Sequence, residues 1–285
     1  MRWEIEHMTL KSESILHRVV VYTLLLAGSA AFILPLVWLL STSLKGDTGL
    51  FEIPPKWIPE PVHWSNFRKA VESFPFLRYT WNTVFVTGMS MIGAMLSSSL
   101  VAYAFARLRW PGREVWFVLL LATMMLPGQV TMIPLFILFK ELGWVDTYLP
   151  LIVPFFFGSA FYIFLMRQFF MTIPKELSEA AKIDGCSEGY IWWRIFMPLS
   201  KPALATLGIF TFTLVWNDFQ GPLIYLNDPD KFTLMLGLRS FQQQYGTRWN
   251  VMMAASLLVM LPTLALFFSF QRYFIEGVTL TGVKG

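Results

Sequence analysis

The residues of this 285-residue chain best suited to act on something outside it lie in one polar island between apolar segments. The island is residues 173–201, IPKELSEAAKIDGCSEGYIWWRIFMPLSK, and it carries Glu179, Ala180, Ala181, Gly185, Ile195 and Pro198. Pro174 suits the first turn of a helix, where its missing N–H costs little. Good helix formers follow from Glu176 to Lys182, and Gly185 permits a turn that a β-carbon would resist. A second amphipathic piece, 187–197, holds Tyr190, Trp192, Trp193, Ile195 and Phe196, and Pro198 is expected to end it. The chemistry on offer is docking: a helix–turn–helix presenting Glu179 and a small face, Ala180 and Ala181, to a partner. A second reading stands beside it, an interfacial loop that ties two spans together, since Trp and Lys are common there.

Catalytic patterns are missing. Gly277 and Gly282 have the spacing of P-loop glycines, but Val283 stands where such a loop needs Lys. No His-Glu-x-x-His, no Gly-x-Ser-x-Gly and no carboxylate cluster occurs, so catalysis by this chain alone is not expected. A lone cysteine, Cys186, excludes an intrachain disulfide and any cysteine-cluster metal site.

The elements that must position the island are membrane helices. Hydrophobic residues make up 55% and charged residues 14%, against about 25% charged in soluble domains. A helix needs roughly 20 mostly apolar residues to cross the hydrocarbon core. Six stretches qualify: 19–42, 80–106, 115–138, 148–171, 203–225 and 252–271. The first reads as an uncleaved anchor, because no small-x-small cleavage site follows it. Arg107, Arg109 and Arg113, then Lys175, Lys182, Arg194 and Lys201, then Arg272 and Lys284, fall on the side of the N-terminus, which makes that side cytoplasmic. The net charge of +4 therefore reads as topology and not as a nucleic-acid face.

Within the second span Gly88, Gly93, Ala94, Ser97 and Ser98 form a small face for close helix approach. Pro127-Gly128-Gln129 and Pro134 in the third span suggest a hinge or cavity wall, or ordinary membrane-helix prolines. His7, His17 and His63 all lie outside the expected spans. Asp218, in Trp216-Asn217-Asp218-Phe219, is the one clear intramembrane carboxylate. It faces a cavity or a neighbouring subunit, or it reaches the interface. Trp216, Asn217, Asp218 and Gln129 are the candidate lining of a translocation cavity. Ala203, Ala205 and Gly208 in the fifth span are candidates to pack against a neighbouring subunit in the membrane.

The order Glu-Ala-Ala, three residues, Gly, nine residues, Ile, two residues, Pro resembles the signature of ABC-importer permeases. The ending QRYFIEGVTLTGVKG, together with Leu126–Pro134 (LPGQVTMIP), Trp216–Phe219 and Phe241–Trp249, is similar to the carbohydrate group, the permeases of the maltose-transporter type. The resemblance covers nearly the whole chain. It implies an all-α integral membrane protein of six transmembrane helices, the type I (MetI-like) permease fold, with both termini cytoplasmic. Residues 1–75 would hold the N-terminal segment, first helix and first outer loop, residues 76–275 the permease core, and residues 276–285 the tail. Glu179, Ala180, Ala181, Gly185, Ile195 and Pro198 would couple to a separate ATP-binding subunit dimer, and Thr279, Gly282, Lys284 and Gly285 would reach it from the tail. Gln242, Gln243, Gln244 and Tyr245 would meet a periplasmic or lipid-anchored solute-binding protein. A second, homologous permease and membrane lipid complete the expected partners, with no nucleic acid. The resemblance implies no cofactor on this chain, ATP and Mg being held by the ATPase, and a bacterial or archaeal cytoplasmic membrane as its place.

Two other classes compete. A secondary transporter of small polar solutes should show internal repeats and coupling-ion ligands near mid-membrane. An intramembrane enzyme should show converging His, Asp or Ser. Neither pattern is evident.

Overall fold

The computed structural model describes residues 15–47, 50, 52–243 and 246–282, with side chains for all of these except 15–16, 242–243, 246–247 and 271–282. Among the described residues the regular structure is helical apart from a two-residue antiparallel pair, Gln242–Gln243 with Gly246–Thr247. The helices are α1 (Ile15–Ser43), α2 (Ser65–Glu72), α3 (Phe76–Arg107), α4 (Arg113–Met125), α5 (Gly128–Glu141) and α6 (Leu149–Thr172). They continue with α7 (Lys175–Ile183), α8 (Glu188–Leu199), α9 (Lys201–Trp216), α10 (Gln220–Tyr225), α11 (Leu234–Leu238) and α12 (Trp249–Gly282). Among the described residues four helices are long and apolar enough to cross a membrane, or up to six if each of two bent pairs forms one span.

The bent pairs correct the expected spans at two places. The third span is no continuous helix: α4 and α5 meet at 97°. A residue before proline is pushed out of the helical region, and Leu126 accordingly takes ψ 117 and Pro127 ψ 135. The fifth span, expected over 203–225, stops at Trp216 and resumes as α10, with Asn217 to Phe219 as the break. The Asp218 carboxylate accepts from the Gly221 amide at 3.0 Å and so starts α10 instead of continuing α9. Pro198 does not end the second amphipathic piece. Helix α8 runs on to Leu199, and the chain then bends by 81° into α9. Proline has no N–H to return to the preceding turn, and the turn before it, Trp192–Phe196, is π-helical. His17, expected outside the first span, lies in its first turn.

The chain divides into two compact units, one of residues 1–70 and 241–258, the other of residues 71–240 and 259–285. In the first, two buried asparagines hold the turn after α1. Asn66 donates to the Ser43 and Lys45 carbonyls at 2.9 Å each, and Asn250 donates to the Lys45 carbonyl at 3.0 Å and to Asp47 at 2.9 Å. Backbone carbonyls buried away from water must find such donors.

In the second unit α3 is the central helix, and its small face does what small residues allow. Ser90 and Ser97 donate to the carbonyls of Leu151 and Phe155 in the first turns of α6, at 3.2 and 2.9 Å. A β-carbon at Gly93 would come within 2.5 Å of the Phe156 ring. Gly208 of α9 is buried as well, a β-carbon there coming within 2.5 Å of the Met95 methyl, and Ala203 is buried. These two residues therefore serve packing within the chain and are not available to a second subunit.

Candidate functional site

Helix α7 ends where the sequence places the turn, and the geometry shows why glycine stands there. Gly185 has φ +79, the left-handed region. Its amide donates to the Lys182 carbonyl at 3.0 Å and the Cys186 amide to the Ala181 carbonyl at 2.9 Å. This pair of reversed bonds is the Schellman termination, which satisfies the last carbonyls of a helix at the expense of one left-handed residue. The next helix starts cleanly: the Ser187 hydroxyl accepts from the Tyr190 amide, an N-cap.

The motif's residues divide between two faces. Ser178 and Ala181 point inward and are buried, so Ala181 is a packing residue and not part of a surface offered outward. Glu176, Glu179, Ala180 and Ile183 recur at helical spacing on the opposite face and are exposed. Ile183 is 87% exposed. It stands exposed beside Ala180 and Glu179, and sequence reading passed over it. Its signal was the spacing 176, 179, 180, 183 along one helix. Ile195 is half-buried against the core, whereas Pro198 and Gly185 are exposed.

The loop is locked to the spans behind it. Ile173, Ala181, Ile191 and Phe196 join a core with Tyr103 and Phe170. The Tyr103 hydroxyl donates to Glu188 at 2.6 Å, and Lys182 pairs with Glu188 at 2.6 Å, joining α3, α7 and α8. Arg107, the last residue of α3, donates to the carbonyls of Phe170 and Ile173 at the end of α6, where unsatisfied carbonyls and the helix dipole both favour a cation. Its guanidinium also lies over the Phe196 ring at 4.7 Å. Arg167, an arginine within α6 that the sequence reading left aside, is only 9% exposed. It pairs with Glu114 at 3.3 Å and lies over Phe117 at 4.0 Å, tying α6 to α4. Helix α7 is therefore linked to α3, and through Arg107 and the ring cluster to α6, by charged hydrogen bonds and packed rings.

The other candidates scatter. Trp216 is buried, stacked on Phe212 at 5.0 Å, and its indole donates to the Val259 carbonyl at 2.9 Å. Asp218 borders a cavity of about 20 Å³ with Thr83, Thr87 and Thr233. Asn217 and Gln129 are exposed, and no described contact links Gln129 to the other three. Gln242 and Gln243 are described as backbone only, Thr279 and Gly282 likewise in α12, whereas Gln244, Tyr245, Lys284 and Gly285 lie outside the described residues.

Away from this loop a tight polar knot joins the turn after α5 to the segment after α10. Asp146, itself at φ 62, accepts from the amides of Asn227 and Asp228 at 3.0 Å and pairs with Lys231 at 2.9 Å. The Asp228 amide, then Lys231, then the Asn227 amide hold its carboxyl down at about 2. The hydrogen bond to Asp146 raises the Lys231 ammonium in turn.

These features define a strongly apolar helical protein whose polar loop exposes one face of α7 and packs the other against the helices behind it. Residues 94–279 match the family described as binding-protein-dependent transport system inner membrane component, and the chain belongs to that family. It is similar to the arabinooligosaccharides transport system permease protein AraQ of Halalkalibacterium halodurans, at 39% identity over 73% of this chain and 75% of that one. The sn-glycerol-3-phosphate transport system permease protein UgpE of Yersinia enterocolitica is 34% identical over 90% of this chain and 94% of its own. In fold it resembles a chain of a bacterial ABC transporter involved in import of the acidic polysaccharide alginate, with TM-score 0.82 and 24% identity over 92% of this chain and 99% of that one. A second likeness, TM-score 0.54 at 16% identity over 90% and 94%, is to the alginate transporter in complex with an alginate pentasaccharide-bound periplasmic protein.

Proposed function

We propose that this chain is the membrane-spanning permease subunit of an ATP-driven, solute-binding-protein-dependent sugar importer of a bacterial or archaeal cytoplasmic membrane. The observation that carries the coupling mechanism is the exposed Glu179–Ala180–Ile183 face on a loop otherwise locked to α3 and α6. An ATP-binding subunit dimer docks there, closes on ATP and Mg, and moves the loop and the spans joined to it as one lever. Access then alternates because ATP binding stabilises one of two states. A nearly complete switch requires about 5.5 kcal/mol of preference for the outward state. The relatives named for arabinooligosaccharides and glycerol phosphate, and the fold neighbour named for alginate, support a carbohydrate or polyol-phosphate substrate.

In this reading the bent pairs α4/α5 and α8/α9 each make one span, giving six, with both ends cytoplasmic. The broken helices supply wall and hinge, with Asn217 and Gln129 toward the solute path. Gln242 to Tyr245 meet the binding protein, Thr279 to Gly285 meet the ATPase, and a homologous permease completes the pathway. A secondary transporter is not favoured: among the described residues no cluster of carboxylates and histidines gathers for a coupling ion.

The decisive experiment is ATPase activity of the reconstituted complex with loaded binding protein, with and without Glu179→Ala. Stimulation that collapses in the variant is expected. A wild-type chain that recruits no ATPase would reduce the loop to a connector. Orientation is checked by Gln243→Cys, which should be labelled from outside intact cells; labelling only after the inner face is opened would reverse it.

A further inference from the structure

A cavity of about 1310 Å³ opens between the α3–α4 connection, the end of α6 and α7. Six cations border it: Arg107, Arg109, Arg113, Arg167, Lys175 and Lys182, against Glu114, Glu179 and Glu188. The excess is three positive charges, and they are unevenly employed. Arg113 and Arg167 share Glu114, and Lys182 holds Glu188. The side chains of Arg109 and Lys175 make no hydrogen bond or ion pair with any described residue, and the buried Nε of Arg107 also has no partner.

Placement narrows what could satisfy them. Arg107 ends one apolar helix and Arg113 begins the next, so the cavity lies at the level where hydrocarbon gives way to water. Its apolar edge is exposed Val115 and Met171, and Val118 and Leu119 extend the stripe along α4 at helical spacing. A scattered positive surface beside a membrane is ordinary; here cations from four helices and the α3–α4 connection converge on one concavity flanked by an apolar track. A ligand with an anionic head and an apolar chain meets both features. Arg and Lys are the donors that phosphate oxygens accept best.

We propose that this cleft binds a phosphate ester, the chemistry of an anionic phospholipid headgroup, with the acyl chain along Val115, Val118 and Leu119. Free soluble phosphate carries the same chemistry without the chain, and the test separates the two. The full-length chain, purified in zwitterionic detergent, is titrated with phosphatidylglycerol and with phosphatidylcholine, and bound lipid is counted by native mass spectrometry. Wild type is expected to hold phosphatidylglycerol at least about tenfold tighter than phosphatidylcholine. Arg109→Gln with Lys175→Gln, two exposed and unpaired side chains, should weaken it by about tenfold to thirtyfold. The exposed Arg194, outside the cleft, serves as control, and Arg194→Gln should change nothing. Lipid retained in millimolar inorganic phosphate supports the headgroup; stoichiometric displacement by phosphate overturns the lipid and leaves a soluble phosphate site. Equal affinity for the two lipids, or equal loss in the Arg194 variant, overturns the site itself. Glu179 borders this cleft as well as the face proposed for the ATPase, so ATPase recruitment is measured separately, with the partner present, and a variant that loses lipid but keeps the ATPase separates the two readings.

Discussion

Replacing Gly185 by alanine adds one methyl group and isolates one physical effect. No heavy atom lies within 4 Å of the position its β-carbon would take, so no packing is disturbed. What remains is backbone: at φ +79 an L-residue incurs about 1–2 kcal/mol that glycine does not. That energy falls on the two reversed hydrogen bonds from the Gly185 and Cys186 amides. It corresponds to a fivefold to thirtyfold rise, roughly, in local opening of the α7–α8 turn. Amide hydrogen exchange of the micelle-bound chain over residues 182–188 measures it directly. Gly189, which also has open space around it but lies in the first turn of α8 without positive φ, is the control. Gly189→Ala should be neutral or slow exchange slightly, since glycine weakens helices by about 0.5–1 kcal/mol relative to alanine. If the two alanine variants behave alike, the Schellman turn is not what holds Glu179 and Ile183 in place. Gly185→Asp adds a charge to the same strain, and ATPase co-purification with it should fall; normal co-purification with normal uptake would sink the coupling role of this turn.

Two further outcomes are expected. Tyr103→Phe keeps the ring against Phe196 but deletes the 2.6 Å bond to Glu188; a hydrogen bond to a charged group contributes about 1.5–3 kcal/mol, so unfolding in mixed micelles should shift by an amount at the lower end of that range, and an unchanged curve would mean that α3 and α8 are joined by packing alone. The Asp146 carboxyl is held at about 2, below its unfolded value of about 3.9; its folded pKa is depressed, so its contribution is complete above the unfolded pKa and is lost as pH falls through the folded one. Protection of the Asn227 and Asp228 amides, taken relative to their intrinsic exchange rates, should therefore fall between about pH 4 and 2, and Asp146→Asn should remove that fall; persistence of the pH dependence in the variant would assign it to another group.

Reading the residues alone recovered the membrane class, the helix–turn–helix of the loop and the need for glycine at position 185, because each follows from composition or from a local conformational rule. The two faces of α7 were harder: Ala180 and Ala181 are chemically identical, and only packing against Tyr103, Ile191 and Phe196 makes one interior and the other surface. The bend of 97° at Pro127 was legible as a break, not as an angle, since the angle depends on what α4 and α5 meet. The end of α9 at Trp216 turned on a carboxylate choosing the Gly221 amide, a local bond that apolar run length does not register. Arg167 was overlooked because a lone arginine near the end of an apolar run reads as interfacial, and its partner Glu114 lies 53 residues away.

The Lys45 carbonyl accepts from Asn66, 21 residues on, and from Asn250, 205 residues on. A ribosome adding about 5–20 residues per second delivers Asn66 within a few seconds and Asn250 only after about 10–40 s. Through that interval the turn after α1 is held from one side only, and the clasp stays half-closed until Asn250 is made. Arrested chains lacking residues beyond 240 should be nicked by protease near Lys45, where the finished protein resists.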